Sequence, residues 1–216
     1  MGFAYRKFNR KWTTIITFLL PFLINAMFCE AKYIEIQGHR GARGIRLENT
    51  LPAFEAAIDA GVDVIELDLV VTKDGEIVIF HDFFINPEIC ANLDGSNLSS
   101  PYPLIYSLSL LELKQFKCKP DFLFPKQLPA EGILIPTLQE LLNMISTSSH
   151  PHAKKVQLNL EIKIDSDHPE FTPSPAVFAK KVLEIVKRNG FSNRVYYSSF
   201  DTEVLFELRK LDSNIN

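Results

Sequence analysis

The sequence predicts an α/β fold. Three observations carry that prediction: the chain opens on strand, loop and helix; two later strands are each followed by a capped or glycine-closed helical stretch; and no internal repeat or low-complexity tract interrupts the alternation. The 216 residues are 46% hydrophobic and 23% charged, ordinary usage for one sizeable core.

Residues 33–37 alternate and are β-rich, which predicts a first strand running into His39. A polar loop over 40–49 follows. Thr50 then serves as an N-cap, Pro52 sits in the first turn, and Leu51, Phe54 and Ile58 recur at helical spacing until Gly61. The 62–72 stretch is a strongly apolar strand whose interior acids are Glu66 and Asp68. Asp74-Gly75 makes a tight turn into a strand over 76–80, which ends at His81-Asp82. So short a connection cannot supply the crossover that parallel neighbours need, so these strands are expected to pair as an antiparallel hairpin, bringing His81 back beside Glu66 and Asp68.

Residues 83–135 are rich in Pro, Ser and Asn and read as a long inserted loop over the scaffold, a lid in function, with one helical stretch over 108–116. Beyond it come a capped helix over 137–145, a polar turn holding His150 and His152, and a strand over 156–164 with Glu161 inside it. A helix over 173–189 closed by Gly190, a strand over 195–200 and a helix from 201 to 211 complete five core strands.

The formal net charge of -3 gives no basic excess with which to track a nucleic-acid backbone, so nucleic acid is not expected as a partner. Residues 1–31 stand apart. Arg6, Lys7, Arg10 and Lys11 precede an apolar run over 12–28, the layout of a signal peptide cleaved near Ala31, with Lys32 opening the mature domain of 32–216. An uncleaved anchor is the lesser alternative, because the run is short and broken by Pro21 and Asn25. The expectation is a periplasmic or secreted protein, membrane-anchored only in the lesser case and touching a membrane only through that segment. Export would place Cys90 and Cys118 where a disulfide persists; a bond between them and two separate buried thiols are both open.

Strand residues two apart share a face, so Glu66 and Asp68 project together while Ile65, Leu67 and Leu69 face the other way. Two carboxylates in one semi-buried site either share a proton or neutralise a cation. With Glu161 as a third strand-borne acid, a divalent ion held by oxygen ligands is the economical answer; simple pairing of these acids with Arg or Lys is the alternative. His39 and His81 each follow a strand, as expected of an acid/base pair. Arg40 and Asp82 beside them suit phosphate binding and imidazole orientation, and Lys163, two residues from Glu161, can point the same way.

The motifs H-R-G at His39, E-N-T at Glu48, E-L-D at Glu66, T-K-D-G at Thr72, H-D at His81 and E-I-K at Glu161, in this order and spacing, resemble the glycerophosphodiester phosphodiesterase family. The resemblance implies a TIM-type (β/α) barrel, Ca²⁺ or Mg²⁺ on the counterparts of Glu66, Asp68 and Glu161, and acid/base roles for His39 and His81. It also implies a small-molecule glycerophosphodiester substrate, cut to glycerol 3-phosphate and an alcohol. Glu48 is then expected to orient its neighbours or to stand in the outer shell of the metal.

A barrel of this type takes about 250 residues, so the expectation is an incomplete barrel with about five of eight core strands, missing its C-terminal part. A catalytically inactive, phosphodiester-binding remnant is therefore one rival reading. A phosphoinositide-type phospholipase or sphingomyelinase D-like enzyme on the same scaffold is the other.

Overall fold

The structure, a computed structural model, describes residues 34–130 and 132–215; the expected leader and Tyr33 lie outside the described residues. The core is a five-stranded sheet built on β1 (Gln37–Gly38), β2 (Val64–Val71), β3 (Ile77–Ile79), β6 (Gln157–Ile162) and β7 (Val195–Ser198). Its parallel strands run in the order β1-β2-β6-β7, with β3 antiparallel to β2. The first strand is shorter than its alternating pattern predicts, and the hairpin about Asp74-Gly75 forms as expected.

β2 shares one edge between two partners. Its N-terminal residues Val64 and Ile65 pair with β1, and its C-terminal residues Leu69, Val70 and Val71 pair with β3. Between these ladders the Glu66 carbonyl accepts from Gly41 N at 3.2 Å, and the Asp68 carbonyl accepts from Phe80 N at 3.0 Å. The other edge is given wholly to β6, with Asp68 opposite Glu161.

Among the described residues, four helices pack with the sheet: α1 (Leu51–Asp59), α3 (Leu138–Thr147), α4 (Pro175–Arg188) and α5 (Thr202–Leu211). Thr50 caps α1 by accepting from Ala53 N, and Thr137 and Glu140 form a reciprocal capping box on α3. Apolar helix faces led by Phe54, Leu141, Phe178, Val182 and Leu208 bury one side of β2 and β6 through Ile65, Leu67, Leu69, Leu158 and Leu160. The opposite side chains of β2 include Glu66 and Asp68. Every residue of β2 is buried, so both acids are held in the interior rather than on a wet face.

Segment 83–135 corrects the expectation of an irregular inserted loop. It contains β4 (Cys90–Asn92), the short helix α2 (Leu110–Leu113) and β5 (Phe116–Cys118), with β4 and β5 paired antiparallel. Cys90 stands opposite Cys118, and their sulfurs are bonded at 2.07 Å. The expected helix over 108–116 is cut short because Phe116 is drawn into β5. A second apolar cluster joins this segment to the scaffold through Leu47, Val70, Val78, Phe80, Ile85, Ile105, Leu113 and Ile135. It is a packed layer with a core of its own, not a loose flap.

Candidate active site

His39 follows β1 directly, on a turn that bends sharply over the next two residues. Arg40 and Gly41 both take positive φ, 53° and 78°. Gly41 is required there, because a Cβ would sit 2.8 Å from the Ala53 carbonyl carbon. The turn aims Arg40 N at the Glu66 carboxylate, 2.7 Å from Oε2, and places His39 Nε2 3.8 Å from the same oxygen.

The Arg40 guanidinium is a junction. Its Nη1 donates to Glu48 Oε1 at 2.7 Å, and its Nε lies 3.3 Å from Asp68 Oδ2. Arg43 Nη1 approaches the other Glu48 oxygen at 3.5 Å. Glu48 thus pairs with two cations. Its neighbour Asn49, also at positive φ (55°), donates to Asp68 Oδ2 at 2.8 Å and accepts from Asp68 N through its amide oxygen. Asn49 is a site residue that sequence reasoning missed, although it stands inside the E-N-T motif and Asn is among the few residues that tolerate a left-handed backbone.

Glu66, Asp68 and Glu161 each offer an oxygen within 4.8 Å of the others. The two β2 acids point the same way, and the register of β6 sets Glu161 beside Asp68. Lys163 donates to Glu161 Oε1 at 2.9 Å and lies 3.6 Å from Asp68 Oδ1. Asp68 is 1% exposed, yet its Oδ1 has no hydrogen-bond partner, an unmet demand in a buried carboxylate. Burial, and then the charges of Asp68 and Glu161, push the Glu66 carboxyl up to about 7, although the Arg40 N–H pulls the other way. Four carboxyl groups including Glu48 face Arg40, Arg43 and Lys163, and with Glu66 ionised they carry one negative charge more than these cations neutralise. A hard divalent cation on Glu66, Asp68 and Glu161 fits that donor set, because oxygen-only ligation suits Mg²⁺ or Ca²⁺ and would satisfy the orphaned oxygen.

His81 follows β3, the antiparallel arm of the hairpin. Its Nδ1 is 2.6 Å from Asp82 Oδ1, and Asn86 donates to the other Asp82 oxygen at 2.8 Å. Burial pushes the Asp82 carboxyl up, but the hydrogen bonds from His81 and Asn86 outweigh it and hold Asp82 below the usual range. An ionised Asp82 fixes one imidazole tautomer and turns Nε2 away from itself. At His39, burial first and then Arg43 and Arg40 depress the imidazole, which favours its neutral form. His150 and His152 stand elsewhere, His152 bonding the Val62 carbonyl. Beside Glu161 and Lys163 opens a cleft of about 290 Å³ whose walls include Phe83, Ser166 and Phe200.

A sequence model of the glycerophosphoryl diester phosphodiesterase family matches residues 39–216. The chain belongs to this family. Among curated relatives, "Lysophospholipase D GDPD1" of Mus musculus is 28% identical over 179 residues, which are 82% of this chain and 48% of the mouse protein. A glycerophosphodiester phosphodiesterase of Bacillus altitudinis is 30% identical over 84% of this chain and 64% of its own length. A phosphodiesterase of Oleispira antarctica, solved with the product sn-glycerol-3-phosphate, is 26% identical with a TM-score of 0.63, covering 84% of this chain and 64% of that one. A Silicibacter pomeroyi structure provisionally described as a glycerophosphoryl diester phosphodiesterase reaches a TM-score of 0.78 at 28% identity, over 86% of this chain and 64% of its own. The chain thus spans about half the length of the mouse relative and under two thirds of these others. Family membership identifies the five-stranded sheet and its helices as part of a TIM-type (β/α) barrel, whose sites lie at the C-terminal ends of the strands.

Proposed function

We propose that this protein hydrolyses glycerophosphodiesters to glycerol 3-phosphate and an alcohol in a divalent-cation-dependent reaction. The observation that carries the reading is the buried triad of Glu66, Asp68 and Glu161, ringed by Arg40 and Lys163 and with His39 against Glu66. Ca²⁺ and Mg²⁺ both suit the oxygen ligands, and the ion when bound supplies Lewis-acid neutralisation of phosphate charge.

The residues divide the remaining work. Arg40 and Lys163 meet phosphate oxygens and stabilise charge that grows on them in the transition state. His39, favoured neutral by its burial and by Arg43 and Arg40, takes a proton at Nε2 from the attacking water, whose oxygen bonds to phosphorus as the bond from phosphorus to the alcohol oxygen breaks. His81, as an imidazolium whose Nδ1–H is held by Asp82, gives its Nε2 proton to the departing oxygen. The cleft walled by Phe83 and Phe200 adjoins Lys163 and receives the alcohol half.

Release of glycerol 3-phosphate from glycerophosphocholine, with and without chelator, tests this. The expected result is release that chelation abolishes and added Ca²⁺ or Mg²⁺ restores. Folded protein that releases nothing under any ion would favour a binding remnant, and release indifferent to chelation would remove the cation from the reaction. The names of the mammalian relatives suggest a second reading, cleavage of a lysophospholipid at the same bond, and the exposed ring of Phe200 beside the cleft favours it. Choline release from lysophosphatidylcholine measures that arm. Export to the periplasm or beyond is part of the same proposal and is supported by the leader-like composition of 1–31.

A further inference from the structure

The loop over 121–128 reverses the usual distribution of polar and apolar groups. Its glutamine, Gln127, is only 9% exposed, whereas Phe122 and Leu123 are 72% and 63% exposed. The buried amide clamps the loop at both ends: Gln127 Oε1 accepts from Asp121 N at 2.7 Å, and its Nε2 donates to the Arg43 carbonyl at 2.7 Å. A turn from Asp121 to Phe124 and the Asp121 carboxylate bonded to Leu123 N fix the tip between those ends. Leu128 and Ile45, both exposed, continue the apolar surface and are tied by a hydrogen bond from Leu128 N to the Ile45 carbonyl. Backbone order is therefore spent on holding a phenylalanine and a leucine in water, an arrangement expected where the tip has an apolar partner.

The place and the charge of this patch say which partner. Phe124 lies under the Arg43 guanidinium, 4.7 Å from the ring centre, and Arg43 in turn reaches Glu48 in the active site. The patch is thus joined through Arg43 and Glu48 to Arg40, on the side of the site that carries His39. Lys119 and Lys126 belong to the same stretch of chain and are exposed, and Arg46 Nη1 donates to the Ile45 carbonyl, against Asp121, whose carboxylate is already bonded to Leu123 N. Apolar side chains projecting from a cationic collar match a lipid surface with anionic headgroups, where rings and alkyl groups enter the acyl boundary and lysines remain at the phosphates.

We propose that this loop, with Ile45, seats the protein on an anionic lipid surface and sets the active-site mouth at the membrane interface. The seat is separate from the catalytic reading, because binding is measured without turnover. In the full chain, Phe122→Trp adds a reporter to the single tryptophan Trp12. With mixed phosphatidylcholine–phosphatidylglycerol vesicles, the emission that the substitution adds should shift to the blue and be quenched by brominated acyl chains. The double variant Phe122→Glu/Leu123→Glu should lose at least about tenfold in vesicle partition, while its turnover of soluble glycerophosphocholine stays at the parent level. Partition that equals the parent's, an added emission indifferent to vesicles, or equal binding to pure phosphatidylcholine would each overturn the proposal. So would a concentration-dependent dimer that the double variant abolishes, with no vesicle binding by the parent: that result assigns the patch to a second copy of the chain. Failure of diester hydrolysis in the parent leaves the vesicle result standing on its own.

Discussion

Removing the divalent cation should destabilise the protein, and by more at pH 8 than at pH 5. Without the ion, Glu66 holds its proton up to about pH 7, against 4.5 for an ordinary glutamate. Between those values the folded chain keeps a proton that the unfolded chain has released. Its stability therefore falls as pH rises through the window, and the loss is complete above about 7. The ceiling on that loss is about 3 kcal/mol, and residual solvent access brings the expected figure nearer 2. The ion-bound protein, with Glu66 ionised and neutralised, has no such slope. The gap in Tm between ion-saturated and chelated protein should accordingly widen from pH 5 to pH 8 by about 4–8 °C for a domain of this size. Thermal unfolding followed by circular dichroism, with excess Mg²⁺ or Ca²⁺ or with chelator, measures it. Working with the gap removes the opposing contribution of Asp82 and Glu140, which bonding depresses and which act at lower pH in both states. Equal gaps at the two pH values would refute the reasoning, as would a Glu66→Gln variant that keeps the wild-type slope.

His39→Ala and His81→Ala should each lower turnover at least about 100-fold with little change in Tm, since the His39 side chain is 58% exposed and His81 is 35% exposed. Because the His39 imidazole is depressed, the acid limb of kcat/KM should lie below the ordinary histidine range; a limb above pH 7 would exclude it as the base. Replacing Cys90 and Cys118 together by Ser opens a loop with a sequence separation of 28, which should cost about 3.5 kcal/mol in urea unfolding; an unchanged midpoint would mean that the apolar layer alone holds the segment. Gly41→Ala should cost about 2 kcal/mol or more and depress activity with stability, because the added methyl meets the backbone of Ala53 at a φ of 78°.

The parts of the fold that were legible in the sequence are those with local causes. The hairpin of β2 and β3 follows from a two-residue turn with too few residues for a crossover, and α1, α3 and α4 follow from caps and helical periodicity. The acid cluster was legible because strand alternation puts Glu66 and Asp68 on one side, and a further acid in an apolar strand is conspicuous. Pairing of β4 with β5 was not legible: each strand has only three residues, 23 residues separate them, and their cross-link is fixed by tertiary closure. Asn49 and Asn86 were missed because amides carry no charge to draw attention and act by orienting Asp68 and Asp82. Gln127 reads in sequence as a loop residue, and only its burial shows it as a clamp.

The shared edge of β2 has a mechanical consequence for the two histidines. The segments that bear them hang from the carbonyls of Glu66 and Asp68, the residues whose carboxylates form the acid cluster. Their anchor points are therefore spaced by the strand's own repeat, about 6.6 Å for two residues, and one strand is the gauge for both the acids and the histidines. Drift elsewhere, in the insert or the outer helices, leaves that spacing alone. A one-residue slip of β2 itself would turn the acids to the helix-packed side and shift the carbonyls from which both histidine segments hang, so a register error in that strand removes the whole site at once rather than degrading it by steps.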